Sequence, residues 1–151
     1  LGGHNILKGQ IHGGTFLPST DISYYPEDAK FKSGVYAIET FGSTGGNWVD
    51  ERPEENSLYS LKDIKINRLD SKSRKLAKKI IKRFKTLPFS DRYLEDIKDS
   101  RKTLKKLVES NIINHYPPLY EKNGEMTAQY EHTIYLSESG KKTIVSKGVD
   151  Y

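Results

Sequence analysis

One carboxylate, Glu39, interrupts the otherwise apolar run Gly34-Val35-Tyr36-Ala37-Ile38-Glu39-Thr40-Phe41-Gly42. The run is short, rich in β-branched and aromatic residues, and bracketed by glycines, so it predicts a buried β-strand. An ionised carboxylate buried in such a strand costs on the order of several kcal/mol unless it is paired or bound to a metal. Glu39 must therefore face a cation or lie at a sheet edge in water.

Two other groups could share a cation with it. His4 lies in Gly2-Gly3-His4-Asn5-Ile6, where small neighbours leave room around an imidazole. Glu131 lies in a second strand-like run, Ala128-Gln129-Tyr130-Glu131-His132-Thr133-Ile134-Tyr135-Leu136. Alternation puts Glu131 and Thr133 on one face and Tyr130, His132 and Ile134 on the other. One imidazole with carboxylates suits Mn, Fe, Co or Zn. Spacing alone leaves a second reading open, in which these are two edge-strand glutamates and a loop histidine.

The chain has 151 residues, one domain's worth, with 34% hydrophobic residues and no cysteine. Disulfides and thiolate metal sites are excluded, and the composition fits a reducing compartment. A mean hydropathy of −0.72 leaves no apolar run that could span a bilayer. The chain opens on Leu1-Gly2-Gly3-His4, which reads as the interior of a longer protein. Its net charge of +5 is uneven: Lys62 to Lys85 holds eleven Lys or Arg against Asp63 and Asp70, a local +9 that leaves −4 elsewhere. A basic patch on a slightly acidic body follows.

The order along the chain reads β-rich, helical, β-rich. Strands and turns are expected up to about Gly46, with His12-Gly13-Gly14 marking a tight turn or a close backbone approach and Pro18, Pro26 and Asp28 a loop. Asp70 or Ser71 can cap a helix to Phe84, with Leu76, Ile80, Ile81 and Phe84 on one face and cations on the other. A short helix is expected over 91–97 and another over 100–110, with Leu104, Leu107 and Val108 buried. Asn111 to Asn114 then leads into His115 to Leu119, which is extended because of Pro117 and Pro118. Lys122 to Glu125 turns into the Glu131 strand, and Ser137 to Gly140 loops into Lys142-Thr143-Ile144-Val145.

Several long strings in this order resemble the C-terminal half of the eukaryotic type 2 methionine aminopeptidases. They are Gly3-His4-Asn5-Ile6, Gln10-Ile11-His12-Gly13-Gly14, Val35 to Gly45, Tyr116-Pro117-Pro118-Leu119, Thr127 to Ile134, and the closing Gly148-Val149-Asp150-Tyr151. The resemblance implies an α/β class and the pita-bread (creatinase/aminopeptidase-like) fold, C-terminal half only. In that frame 1–57 and 116–151 are the two parts of the half, and 58–115 is the helical insertion of the type 2 enzymes.

The same resemblance assigns roles. His4, Glu39 and Glu131 correspond to metal ligands, Glu131 as the bridging one. His12 corresponds to the histidine that meets the scissile amide, and the chemistry of a metal-bound hydroxide gives Glu39 or a neighbouring carboxylate the part of proton shuttle. Ile11, Phe41 and Tyr116 correspond to the walls of the methionine pocket. It implies two divalent metal ions (Co, Mn, Fe or Zn) in the complete enzyme, the N-terminal Met of nascent polypeptides as substrate, a cytoplasmic location and a monomer. The family's site also takes two aspartates from a segment that nothing here resembles, so the chain alone is expected to be inactive. Rival expectations are a prolidase-type relative and a non-catalytic pita-bread module whose Lys62–Lys85 face contacts the ribosome or RNA. The three ligand-type residues argue against a non-catalytic module. The helical middle and Tyr116-Pro117-Pro118 argue against a prolidase.

Overall fold

A computed structural model describes residues 1–20, 30–46, 48–62 and 65–149. Pro26, Asp28, Asp63 and the closing Asp150-Tyr151 of the sequence reading lie outside them. The elements in chain order are β1 (Gly2–Ile6), β2 (Phe16–Pro18), β3 (Gly34–Ser43), β4 (Val49–Glu51) and β5 (Leu58–Leu61). Then come α1 (Ser71–Phe84), β6 (Phe89–Ser90), α2 (Ser100–Glu109), β7 (Ile113–Tyr116) and β8 (Leu119–Glu121). β9 (Thr127–Leu136) and β10 (Lys142–Ile144) close the described chain. Two compact units result, one from 1–48 with 121–151 and one from 49–120.

The first unit is an antiparallel five-stranded sheet in the order β10-β9-β3-β1-β2. The two long strands foreseen around Glu39 and Glu131 pair along ten residues each, from Gly34 opposite Leu136 to Ser43 opposite Thr127. β1 lies on the other side of β3, with His4 opposite Ala37. That approach requires glycine: a Cβ on Gly3 would stand 2.2 Å from the Ala37 carbonyl oxygen. At the far end of β3 the turn is tied down by Glu121, a buried carboxylate. It accepts the Ser43 hydroxyl at 2.8 Å and the Gly46 N–H at 3.0 Å.

The second unit carries the compact hydrophobic core. α1 follows the predicted span, and Asp70 caps it by accepting the N–H groups of Lys72 (3.0 Å) and Ser73 (3.1 Å). Leu76, Ala77 and Ile80 are buried beneath it, with Ile81 and Phe84 packed alongside. α2 adds Leu104 and Leu107, while Val108 is half-buried. The helices share this core with Tyr59, Leu61, Phe89 and Ile113 of the three-stranded sheet β6-β5-β7. These strands hold two to four residues each, so the middle of the chain is not purely helical. The expected helix over 91–97 is shorter, a 3₁₀ turn at Asp91–Leu94.

Leu104 is fully buried, so Leu104→Ala should destabilise this unit by about 2–5 kcal/mol. Urea unfolding followed by far-ultraviolet circular dichroism measures it.

Candidate active site

The register of the first sheet decides which side chains can meet. Residues directly opposite across a ladder share a face, and so do residues two apart along a strand. His4 opposite Ala37, Glu39 opposite Glu131, and Phe41 opposite Gln129 therefore all project from one face. Strands distant in sequence thus place the three ligand-type residues on the same side of one sheet.

His4 and Glu39 are in contact. His4 Nε2 lies 3.3 Å from Glu39 Oε1, and both side chains are mostly buried, 12% and 13% exposed. The other ring nitrogen, Nδ1, lies 3.3 Å from the Asn5 carbonyl oxygen, a position that suits an N–H on Nδ1. With the proton there, Nε2 turns a lone pair toward the carboxylate. Two acceptors facing each other are satisfied by a proton or a cation between them. The Glu39 carboxylate thus has an imidazole beside it, and a positive partner between the two acceptors would satisfy both.

Glu39 is under electrostatic pressure from its surroundings. Burial raises its carboxyl pKa, and the charge of Glu131 on the facing rung raises it further. His4 and the amide of Gln129 pull in the opposite direction. Gln129 Nε2 donates to Glu39 Oε2 at 2.8 Å, so each carboxylate oxygen has a separate partner. Glu131 is exposed on its rung. No group of three or more His, Asp or Glu side chains converges tightly enough to hold a metal among the described residues. The donor set matches hard and borderline divalent cations in type, with two donors in contact and the third on the neighbouring strand.

His12 comes to the site on the loop between β1 and β2. Its ring meets the His4 ring edge to face, with centroids 4.3 Å apart. Burial lowers its pKa, and the nearby His4 lowers it further, which favours a neutral imidazole. Ile11 precedes it in the same loop and is 37% exposed. Phe41, half-buried, follows Glu39 by two residues on the same face of β3. Tyr116 belongs to the second unit, where its hydroxyl lies 2.8 Å from Ser60 Oγ. His132 points to the opposite face from Glu131, with Nδ1 3.1 Å from the Ser146 hydroxyl.

Sequence reasoning missed Gln129 as a partner of Glu39. The signal was present: Gln129 stands two residues before Glu131, so it shares that face. It also missed Glu121, whose role depends on a turn that only the folded sheet creates.

Against known proteins, the chain is similar over its whole length to the methionine aminopeptidase 2 of Yarrowia lipolytica, 42% identical and covering 32% of that protein. The methionine aminopeptidase 2 of Puccinia graminis is 41% identical, with 33% of its length covered, and that of Podospora anserina 39%, with 34% covered. The chain thus spans about a third of the length of these relatives and matches a C-terminal segment of them. No protein-family model matches it. Among solved structures, that of a thermophilic Arx1 superposes with a TM-score of 0.80 at 22% identity, over 95% of this chain and 38% of the other. The likeness shows the fold, which is the α/β pita-bread type.

The raised Glu39 pKa has a defined sign in stability. Between the ordinary value of 4.5 and the raised folded value, the folded chain binds more protons than the unfolded one. Stability from this group therefore falls as pH rises through that window. Glu39→Gln should remove this component of the pH profile, leaving the opposite slope from His12, whose depressed pKa costs stability as pH falls below 6.5. Thermal melting of both proteins across mildly acidic pH checks it.

Proposed function

We propose, from a chain whose whole length matches a C-terminal segment of the type 2 methionine aminopeptidases, that it carries one side of a dinuclear-metal aminopeptidase site acting on the N-terminal Met of nascent chains in the cytoplasm. The observation that carries the proposal is the contact of His4 Nε2 with Glu39 Oε1, on the sheet face that also bears Glu131.

His4 Nε2, Glu39 and Glu131 would hold the ions, with Glu131 shared between them. Two divalent ions (Co, Mn, Fe or Zn) would supply Lewis acidity to a substrate carbonyl and to a water molecule. The Asn5 carbonyl would favour the His4 tautomer with its proton on Nδ1, and Gln129 holds one oxygen of Glu39. Such partners of ligands commonly change metal affinity by about 10–100-fold when removed. Glu39, with its raised pKa, is suited to hold and pass a proton. An N–H of His12 can donate to the oxygen of the scissile amide as charge develops there. Ile11 and Phe41 supply apolar contact for an unbranched thioether side chain. Tyr116 keeps that role as the resemblance assigns it.

The reading makes the chain a part of the site. Incubated alone with Mn or Co, it should release no Met from a Met-Ala-Ser peptide, and measurable turnover would contradict incompleteness. It should still bind Mn weakly, and Glu131→Ala should weaken that binding by about tenfold or more. Unchanged Mn affinity in a calorimetric titration would remove Glu131 from the ligand set.

A second property can coexist with catalysis: contact with RNA, the ribosome's included, through α1. Within the folded unit several of the basic residues are already engaged. Lys72 pairs with Asp99 at 2.6 Å, Arg83 with Asp96 at 2.6 Å, and Arg74 donates to the carbonyls of Asn67 (2.7 Å) and Leu69 (2.8 Å). Lys75, Lys78 and Lys82 remain exposed on the helix. Changing these three to Gln should lower affinity for a structured RNA and flatten its salt dependence. An unchanged salt slope in a filter-binding assay would leave the face as ordinary solvated surface.

A further inference from the structure

The loop that carries His12 is held by one residue that neither its charge nor its position marks as functional. Asn5 follows His4 in β1, so its side chain points to the opposite face of the sheet from the imidazole. Its main chain and side chain together make four contacts around the site. The Asn5 N–H donates to the Thr15 carbonyl at 3.2 Å, and the Asn5 carbonyl accepts the Gly13 N–H at 2.8 Å. The carboxamide oxygen Oδ1 accepts the Thr15 N–H at 2.8 Å. The same Asn5 carbonyl lies 3.3 Å from His4 Nδ1.

The loop is also fitted sterically to this side chain. A Cβ on Gly13 would stand 2.6 Å from Asn5 Nδ2 and 2.7 Å from Asn5 Oδ1, so the residue after His12 has room for glycine alone while Asn5 is in place. On the other side of the loop, Gln10 Nε2 donates to the His12 carbonyl at 2.8 Å. His12 is thereby bracketed: its carbonyl is held by Gln10, the next N–H by the Asn5 carbonyl, and the loop end at Thr15 by the Asn5 side chain.

We propose that Asn5 is a positioning residue that locks the His12 loop onto β1 through its side-chain oxygen, so that the His12 ring is held against His4. The proposal rests on reading His12 as the histidine that meets the substrate, and it deepens that reading. Loops that carry reacting groups lose rate steeply when the group shifts by about 1 Å, and no regular element holds His12. Asn5 couples the loop to the same strand that presents His4, so both imidazoles refer to one rigid support.

The test is the cross-peak between the His4 and His12 ring protons in the NMR spectrum of the isotope-labelled chain. Centroids 4.3 Å apart place the rings within range of such a signal. Asn5→Ala should abolish the cross-peak and speed exchange of the Thr15 amide about five- to tenfold, the loss of one hydrogen bond. The β3–β9 amide signals should stay in place. Asn5→Asp keeps an acceptor oxygen and should retain the cross-peak and the protection. Persistence of the cross-peak in Asn5→Ala would overturn the proposal, as would its loss in Asn5→Asp.

Should Asn5→Ala fail to fold, Gly13→Ala decides. It keeps the Asn5 residue but drives a methyl into its side chain, forcing the two apart, so the cross-peak should vanish with the β3–β9 ladder intact, and its survival would refute the coupling. None of these signals depends on turnover. If the aminopeptidase reading fails, the cross-peak results still stand.

Discussion

The antiparallel ladder between β3 and β9 is the interaction on which the first unit depends. Its backbone hydrogen bonds run from Gly34–Leu136 to Ser43–Thr127 in unbroken register. A slip of one residue would send Glu39 and Glu131 to opposite faces, because side chains alternate with a period of two. The ladder matters the more because apolar packing here is thin. Tyr36 and Ala37 are the buried hydrophobic residues of this unit among those described, whereas the contiguous core lies in the second unit. The sheet that presents the site is therefore held by backbone pairing, by Glu121 at the turn after β3, and by the Asn5 contacts at β1.

Holding Glu39 and Glu131 on facing rungs has an electrostatic cost. Partial burial of Glu39 penalises its charged form, and repulsion from the Glu131 carboxylate beside it adds to that penalty, which is why its pKa rises. His4 and Gln129 offset part of this from the other side. A cation would offset more of it. Sites that bind metal ions commonly have this form, with donors held in proximity by the fold at a cost in stability that the ion reverses. The lowered pKa of His12 has related causes, burial of its ring first and the nearby His4 second.

Much of this was legible in the sequence, for identifiable reasons. Glycine brackets and an apolar run announced β3, and alternation announced β9. An Asp70 cap with a one-sided apolar face announced α1. The strands β5, β6 and β7 were not legible, because two to four residues give no periodicity to read. In the site, Glu39 stood out because a carboxylate in an apolar run is costly. Its contact with His4 was not legible, because it depends on β1 lying beside β3, a pairing between segments about thirty residues apart. Gln129 and Asn5 carry no charge and no motif chemistry, so only the register and the loop path reveal what they touch.

In the proposed function His4 keeps its proton on Nδ1 and offers Nε2, together with Glu39, to a divalent cation. Nitrogen-15 NMR of the His4 imidazole during a titration with diamagnetic Zn reads both points at once. The expected result is an Nδ1–H tautomer, held by the Asn5 carbonyl, with a large Zn-dependent shift at Nε2 that disappears in Glu39→Gln. A His4 found in the other tautomer, or an Nε2 signal that Zn leaves unmoved, would contradict it.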